Sequence, residues 1–152
     1  MYTRVVLVIA LLQRANWGQV SIDGVVCAKI NKGLVVLVGV ERDDNEAKAD
    51  KLLHKILNYR VFSDEEGRMN LSLLDIGGEL LLVSQFTLAA TTDKGLRPGF
   101  SSAMLPAQAE PLYDYLLAQA RQSTLKVEAG RFGADMKVAL ENDGPVTFSL
   151  RV

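Results

Sequence analysis

Three polar side chains interrupt an apolar segment in the middle of the chain, within the sequence LLLVSQFTLAA. Ser84, Gln85 and Thr87 follow a run of leucine and valine that is typical of a buried strand. Buried polar side chains cost free energy unless they are hydrogen-bonded, so this cluster favours a strand end that opens onto a site. An edge strand that turns polar as it reaches the surface explains the pattern equally well.

The chemistry available to this segment is limited by the residues around it. Thr87 could act as a nucleophile, but neither a histidine nor a lysine stands beside it to serve as a base. His54 is the one histidine, so a histidine-rich metal site is excluded. It is predicted on a helix beside an apolar stripe, and a Ser-His-Asp triad would depend on this single residue. Cys27 is the single cysteine, which excludes an internal disulfide and a cysteine-based zinc site. We therefore expect no metal and no cofactor.

A second unusual segment, ENDGPVTF, lies close to the carboxyl end of the sequence. Asn142, Asp143 and Gly144 favour the tip of a β-hairpin, since Asn and Asp tolerate positive φ and Gly adopts it freely. Pro145 follows where the return strand should begin, although proline has no N–H to donate to a sheet. The sequence thus predicts two strands around a turn, with a proline that weakens the hairpin it closes.

Composition and charge describe an ordinary globular chain. With 49% hydrophobic and 23% charged residues, we expect one ordered domain over residues 1–152. The 17 Lys and Arg against 18 Asp and Glu leave a net charge of -1, so a broad grip on duplex nucleic acid is not expected, although a small contact with an RNA end is compatible. The apolar residues 5–12 are too few to span a bilayer, so no membrane partner is expected. A single cysteine is typical of the reducing cytoplasm.

Strands and helices alternate around these segments, as the apolar periodicity indicates. The predicted elements, in chain order, are a strand over residues 5–13, a hairpin with Asp23-Gly24 at its turn, a strand over 33–40, a helix with Asp43 or Asp44 as its N-cap, two short strands near 59–62 and 69–74, a strand over 77–88, a polar loop over 91–104, a helix from Pro106, and two strands around the Asn142–Pro145 turn. The fold class is a single α/β domain with a mainly antiparallel or mixed, barrel-like sheet and two principal helices.

Six segments occur in an order and spacing that closely resemble the bacterial D-aminoacyl-tRNA deacylases. They are ALLQR, NYRVFSDEEGRMNLSL, VSQFTLAA, RPGFS, GRFGADMKV and NDGPVTF, and the resemblance runs from about residue 8 to residue 152. The segments SQFT and NDGPVT are the most specific. Chains of that family typically begin near Val8, so residues 1–7 stand out as an N-terminal extension relative to the family.

The resemblance implies a homodimer that hydrolyses the ester between a D-amino acid and the 3′-terminal adenosine of tRNA. In that family, a Gly-cisPro peptide bond of each subunit enters the active site of its partner. Carried onto this sequence, Gly144 and Pro145 would be a chiral filter that rejects L-aminoacyl-tRNA. Because glycine has no side chain to clash, glycyl-tRNA is an expected second substrate.

The same resemblance implies roles for the residues around the substrate. The ester would be surrounded by Ser84, Gln85, Phe86 and Thr87, whose backbone N–H groups polarise its carbonyl, and the 2′-hydroxyl of the RNA would assist hydrolysis. The adenosine would rest against Phe100, Phe132 and Met136, although ordinary core packing explains Phe132 and Met136 as well. The filter would be supported by Arg14, Asn142 and Asp143, although Arg14 could equally be a surface residue at the end of the first strand.

Two other functions fit the same sequence. In the first, Thr87 accepts the acyl group in an enzyme of the same fold. In the second, the chain is a non-catalytic module that binds the tRNA end or mediates dimeric interaction. Product release by substoichiometric protein would distinguish an enzyme from a module, and a trapped acyl adduct would identify Thr87.

Overall fold

The computed structural model describes residues 8–152 as an alternation of strands and helices. The strands are β1 (Ile9–Ile22), β2 (Val25–Ile30), β3 (Gly33–Gly39), β4 (Phe62–Ser63), β5 (Met69–Leu71), β6 (Glu79–Ser84), β7 (Val127–Ala129) and β8 (Lys137–Arg151). The helices are α1 (Glu46–Asn58), the single turn α2 (Leu73–Ile76) and α3 (Pro106–Arg121), and a 3₁₀ turn covers Phe86–Ala89. The predicted extension and the start of the predicted first strand, residues 1–7, lie outside the described residues.

The sheet is organised around β1, because both of its edges are paired along most of its length. On one edge, the second half of β1 pairs with β2 in a hairpin, and the first half of β1 pairs antiparallel with β3. The hairpin turns at Asp23 and Gly24, whose φ values of 51° and 79° suit a tight turn. The other edge pairs antiparallel with β8 from Ile9 to Ser21. The hairpin predicted at Asp23 and Gly24 is confirmed.

A parallel part of the sheet continues from the free edge of β3. Strand β3 pairs with β6 and β6 pairs with β7, both in parallel, so the carboxyl ends of β3 and β6 lie at the same edge of the sheet. Alternate residues belong to two apolar cores, one shared with α1 and α3 (Leu34, Val36, Leu80, Leu82) and one shared with β2 (Val35, Leu81, Val83). The predicted α/β class, the mixed barrel-like sheet and the two principal helices are confirmed.

Helix α1 starts with a different cap from the one predicted. Its N-cap is Asn45, whose side chain accepts a hydrogen bond from the Lys48 N–H at 3.0 Å. The predicted N-cap, Asp43 or Asp44, is wrong. The carboxylate of Asp44 instead accepts from the Glu41 N–H at 2.5 Å and closes the turn before the helix. Three consecutive side chains with suitable oxygens precede α1, and local sequence does not decide between them.

The hairpin predicted at Asn142–Pro145 is also wrong. Strand β8 runs as one element of 15 residues along β1, and its register jumps from Asn142 opposite Ala15 to Thr147 opposite Gln13. Residues 143–146 therefore leave the ladder as a bulge opposite Arg14. Because β1 is 14 residues long, it offers partners to both halves of β8, and the chain does not reverse direction.

Candidate active site at the ends of β3 and β6

A pocket of about 620 Å³ opens at the carboxyl ends of β3 and β6. Its wall includes these strand ends, the start of α3, and residues from two loops at 100–105 and 132–136. It contains six of the predicted site residues: Ser84, Gln85, Phe86, Phe100, Phe132 and Met136. The other six do not line it: Arg14, Thr87, Asn142, Asp143, Gly144 and Pro145. The fold thus gathers most of the predicted ester and adenosine residues and places the predicted filter elsewhere in the chain.

The backbone at the end of β6 presents two hydrogen-bond donors beside this pocket. The strand predicted to reach residue 88 ends at Ser84: the Gln85 N–H makes the last hydrogen bond to β3, to the Val38 carbonyl at 2.8 Å, and the chain then enters the 3₁₀ turn. The N–H groups of Phe86 and Thr87 precede the first hydrogen bond of that turn, and no atom of residues 8–152 accepts from either. Such paired donors can stabilise negative charge on a carbonyl oxygen.

The Thr87 side chain is exposed and has no base beside it in the described part of the chain. Its hydroxyl accepts a hydrogen bond from the Gln85 side-chain amide. The ring of His54, on α1, lies 3.4 Å from the Asn58 amide and does not line the pocket. Residues 8–152 therefore offer Thr87 no proton acceptor for nucleophilic attack.

One aromatic pair forms an open wall of the pocket. The rings of Phe86 and Phe100 have centroids 5.2 Å apart and an interplanar angle of 48°. Phe86 is 64% exposed and Phe100 is 40% exposed, so both rings present apolar surface to a ligand.

A second aromatic pair is anchored in the core. Phe132 packs on Tyr113 with ring centroids 6.0 Å apart, and the Tyr113 hydroxyl donates to the Leu82 carbonyl at 3.0 Å. Burial raises the pKa of Tyr113 well above its ordinary value, so this hydroxyl remains a donor. Phe132 and Met136 are both partly buried against the cores and part of the pocket wall. Packing and pocket lining therefore coexist at these two residues.

The predicted filter residues form the bulge at residues 143–146, and Arg14 lies opposite them. Its Nε donates to the Asp143 carbonyl at 2.9 Å, and its Nη1 donates to the Val61 carbonyl at 2.8 Å. The Asp143 carboxylate lies 3.6 Å from the same Nε, and the Arg14 side chain is only 12% exposed. The guanidinium thus ties the bulge to the segment that follows α1.

Asn142 closes the base of the bulge. Its Oδ1 accepts from the Val146 N–H at 2.6 Å, and its Nδ2 donates to the Thr147 hydroxyl at 2.9 Å. One side chain therefore bonds the backbone that returns to the ladder.

Gly144 and Pro145 are exposed at the tip of the bulge, and the peptide bond between them is cis. Gly144 has a φ of 141°, which side chains rarely tolerate. A Cβ at this position would lie 2.6 Å from the Val146 Cγ2 and 2.9 Å from the Val146 backbone N. Both the conformation and the space therefore require glycine at position 144.

Sequence reasoning named Asp44 only as a candidate N-cap and missed its role as a buried carboxylate that braces one wall of the pocket. It fixes the turn at Glu41, and the adjoining Arg42 N–H donates to the Ser102 carbonyl at 2.9 Å, next to residues that line the pocket. Burial raises the pKa of the Asp44 carboxyl, although Lys48 Nζ lies 3.8 Å from its Oδ1. The signal in the sequence was a second acidic residue directly before the cap of α1.

Two further features bear on the chemistry of residues 8–152. This part of the chain holds no group of three or more His, Cys, Asp or Glu side chains that could bind a metal ion. It also contains no helix long and apolar enough to cross a membrane.

Comparison with known proteins identifies the family. Residues 11–151 match the family described as D-Tyr-tRNA(Tyr) deacylase. The chain is 64% identical over 140 residues to the D-aminoacyl-tRNA deacylase of Stutzerimonas stutzeri, covering 92% of this chain and 97% of that protein. It is 61% identical over 142 residues to the D-aminoacyl-tRNA deacylase of Pseudoalteromonas translucida, covering 93% and 98%. The chain therefore belongs to the D-aminoacyl-tRNA deacylases, a family of hydrolases, and the resemblance drawn from its motifs is confirmed.

Solved structures show the same fold. The structure named c-Myc DNA Unwinding Element Binding Protein superposes with a TM-score of 0.88 at 40% identity, covering 93% of this chain and 97% of that one. A probable eukaryotic D-amino acid tRNA deacylase superposes with a TM-score of 0.83 at 17% identity, covering 96% and 100%. At that lower identity the likeness concerns the fold alone.

Proposed function

We propose that this chain hydrolyses the ester between a D-amino acid and the 3′-terminal adenosine of tRNA, spares L-aminoacyl-tRNA, and also cleaves glycyl-tRNA. One observation carries the proposal. At the pocket, exposed aromatic rings lie next to two backbone N–H donors that have no acceptor among the described residues. Membership of a deacylase family supports the reaction. Because the substrate is charged tRNA, we place the enzyme in the cytoplasm.

The adenosine occupies the aromatic part of the pocket. The partly exposed ring of Phe100 accepts the base, and Phe132 and Met136 complete the apolar surface. Stacking a base on an aromatic side chain contributes about 1–3 kcal/mol and needs no net positive charge. Such binding agrees with a chain whose net charge is -1.

The ester carbonyl lies against the N–H groups of Phe86 and Thr87. These donors stabilise the oxyanion that forms when water attacks the carbonyl carbon, while Ser84 and Gln85 fix the strand end that presents them. The 2′-hydroxyl of the terminal ribose assists the attack, and no protein side chain acts as nucleophile or base. The bond from Gln85 to the Thr87 hydroxyl supports this mechanism, as does the lack of a base beside Thr87 in residues 8–152.

The chiral filter is supplied by a second subunit of a homodimer. Gly144 and Pro145 are exposed at a bulge tip and do not line the pocket of their own chain, which supports a filter that enters the partner's pocket. Arg14, Asn142 and Asp143 hold this bulge in place.

Steric exclusion by fixed backbone accounts for the selectivity. When the amino group and the ester of the aminoacyl substrate are both fixed, the side chain of a D-amino acid points to open space. The side chain of an L-amino acid then clashes with the bulge. Recognition of a single methylene by a pocket would discriminate by only about 1–3 kcal/mol. A clash with backbone excludes more, and it cannot exclude glycine.

Hydrolysis of matched D-tyrosyl-, L-tyrosyl- and glycyl-tRNA, with substrate in large excess over protein, tests this function. We expect many turnovers of the D and glycyl substrates, and an L substrate that decays at the rate seen without protein. Glycyl-tRNA as stable as L-tyrosyl-tRNA would rule out the steric filter. Failure of a folded dimer to turn over any of the three would instead identify a module that only binds the tRNA end.

A further inference from the structure

We propose that Lys94, Arg97 and Arg131 form a basic rim at the mouth of the pocket that binds the phosphates of the single-stranded 3′ end of RNA. This inference rests on the proposed function, because it names the surface that holds the substrate outside the pocket. The three residues are referred to below as the basic rim.

Two cations of the basic rim are held near the pocket by a closed loop. Reciprocal backbone hydrogen bonds join Thr91 and Gly99, at 2.7 Å and 2.9 Å, so residues 92–98 project from a fixed base. Phe100 follows this base directly and lines the pocket. Arg97 is three residues from Phe100, so their Cα atoms are at most about 11 Å apart.

The third cation approaches from another wall of the same pocket. Arg131 directly precedes Phe132, and residues 132–136 line the pocket. A ligand that stacks on Phe100 and Phe132 therefore leaves the pocket past loops that each carry at least one member of the basic rim.

The charge around the mouth is free to attract an anion. Lys94, Arg97 and Arg131 are all exposed, and none has a carboxylate partner among the described residues. The neighbouring cations are engaged, since Lys137 lies 3.2 Å from the Asp135 carboxylate and Arg42 donates to the Ser101 carbonyl. Residues 92–98 contain one carboxylate, Asp93, against Lys94 and Arg97.

The basic rim explains how a chain with no excess of positive charge can attract tRNA. The chain has a net charge of -1, yet its substrate is a polyanion, so attraction must come from a local group of cations. Phosphate contacts position a nucleic acid without reading its sequence, so the basic rim would orient the RNA while the pocket recognises its terminal adenosine. The terminal adenosine enters the pocket, and the preceding phosphates lie across the basic rim.

Salt dependence of binding provides the test. For single-stranded nucleic acid, the slope of log K against log salt is about −0.7 for each phosphate neutralised, so three contacts contribute a slope of roughly −2. We would measure the affinity for uncharged tRNA between 50 and 200 mM KCl. The triple variant Lys94→Gln, Arg97→Gln, Arg131→Gln should show a slope shallower by about 2. When the salt rises from 50 to 200 mM, the fold-loss of tRNA affinity should therefore be roughly 15 times smaller for this variant than for the wild type.

The matched control is the triple variant Lys32→Gln, Lys51→Gln, Lys55→Gln. It removes the same charge from exposed cations just before β3 and on α1, none of which lines the pocket, and should keep the wild-type slope. Equal slopes for both triple variants, or no binding of tRNA by the wild type, would overturn the basic rim.

A substrate without phosphates separates this inference from the proposed function. The rim variant should cleave D-tyrosyl-adenosine within about twofold of the wild-type rate, because no phosphate contact is lost. A large fall on this substrate would mean that the substitutions disturb the pocket, which would contradict the inference. If the wild type cleaves neither D-tyrosyl-adenosine nor D-tyrosyl-tRNA, the proposed function fails, while the tRNA affinities still decide the basic rim.

Discussion

The pocket at the ends of β3 and β6 and the bulge at residues 143–146 are built in opposite ways. The pocket wall is built mainly from side chains, among them aromatic rings that are 40% and 64% exposed. The bulge consists of backbone, held by side-chain hydrogen bonds from Arg14 and Asn142. A surface of side chains can bind many ligands that share one apolar base, whereas a fixed backbone can exclude a configuration. Under the proposed function, the pocket therefore supplies affinity and the bulge supplies selectivity.

The largest effect is expected from Gly144→Ala. The added methyl group would lie 2.6 Å from the Val146 Cγ2 at a φ of 141°, so the bulge must move. A displacement of about 1 Å can cost roughly 100-fold in rate, and we expect such a fall in kcat/KM for D-tyrosyl-tRNA together with measurable cleavage of L-tyrosyl-tRNA. The control is Gly24→Ala, which has a φ of 79° but meets no atom within 4 Å. If Gly144→Ala kept the wild-type preference for D- over L-tyrosyl-tRNA, the bulge at residues 143–146 would not be the chiral filter.

Phe100→Ala should weaken binding without changing selectivity. Loss of about 2 kcal/mol of stacking would raise the KM for D-tyrosyl-tRNA roughly 30-fold, with the D-to-L preference intact. Tyr59→Ala is a matched control, because Tyr59 is 39% exposed, packs on Phe148 with centroids 5.8 Å apart, and does not line the pocket. An unchanged KM in Phe100→Ala would place the adenosine elsewhere.

Asn142→Ala should relax the filter by a smaller amount. The Val146 N–H loses its acceptor, and loss of one hydrogen-bond partner costs about 1–3 kcal/mol, so we expect the D-to-L ratio of kcat/KM to fall roughly tenfold. Asn142→Asp keeps this acceptor but loses the donor to Thr147, and should retain most of the selectivity. Equal selectivity in wild type and Asn142→Ala would show that the bulge does not depend on this side chain.

Thr87→Ala should have little effect on the chemical step, because its backbone N–H remains in place. We expect kcat to stay within about tenfold of the wild type, whereas removal of a true nucleophile typically costs at least about four orders of magnitude. Single-turnover hydrolysis of D-tyrosyl-tRNA measures the difference. A loss of that size with an intact fold, or an acyl adduct on Thr87, would establish covalent catalysis.

The smallest effect concerns stability and pH. Burial raises the folded-state pKa of Asp44 above its ordinary value of 3.8, so the folded protein binds this proton more tightly than the unfolded chain. The contribution of Asp44 to stability is therefore fully present below pH 3.8 and falls as pH rises through the raised pKa. Urea unfolding of wild type and Asp44→Asn between pH 3.5 and 7 should show the wild type losing stability relative to the variant. A relative gain with rising pH would contradict this sign.

Local patterns were sufficient for the elements whose partners are close in sequence. The hairpin at Asp23 and Gly24, the covered strand over residues 33–40 and the helix from Pro106 follow from turn chemistry and apolar period, which neighbouring residues set. The turn at Asn142–Pro145 was misread because its fate depends on a distant partner. Only the length of β1 shows that β8 can continue past these residues without reversing.

The residues of the candidate site also fall into those that the sequence predicted and those whose position depends on the tertiary fold. The resemblance implied Phe100, Phe132 and Met136 together, and the fold does bring them to one pocket. The separation of Gly144 and Pro145 from that pocket was implied only by the resemblance, because local sequence does not show where the bulge falls along β8 relative to the ends of β3 and β6. The brace at Asp44 was hidden for a similar reason, since burial of a carboxylate is a tertiary property.

Mixing two defective variants tests most directly whether the bulge of one subunit serves the pocket of the other. Gly144→Ala has an intact pocket, and Phe100→Ala has an intact bulge. After subunit exchange of equal amounts, a shared site predicts that roughly a quarter of all sites combine a wild-type pocket with a wild-type bulge. The mixture should then cleave D-tyrosyl-tRNA at about that fraction of the wild-type rate at low substrate concentration, and spare the L substrate at those restored sites. A rate equal to the mean of the two separate variants would show that pocket and filter belong to the same chain, and would contradict the account.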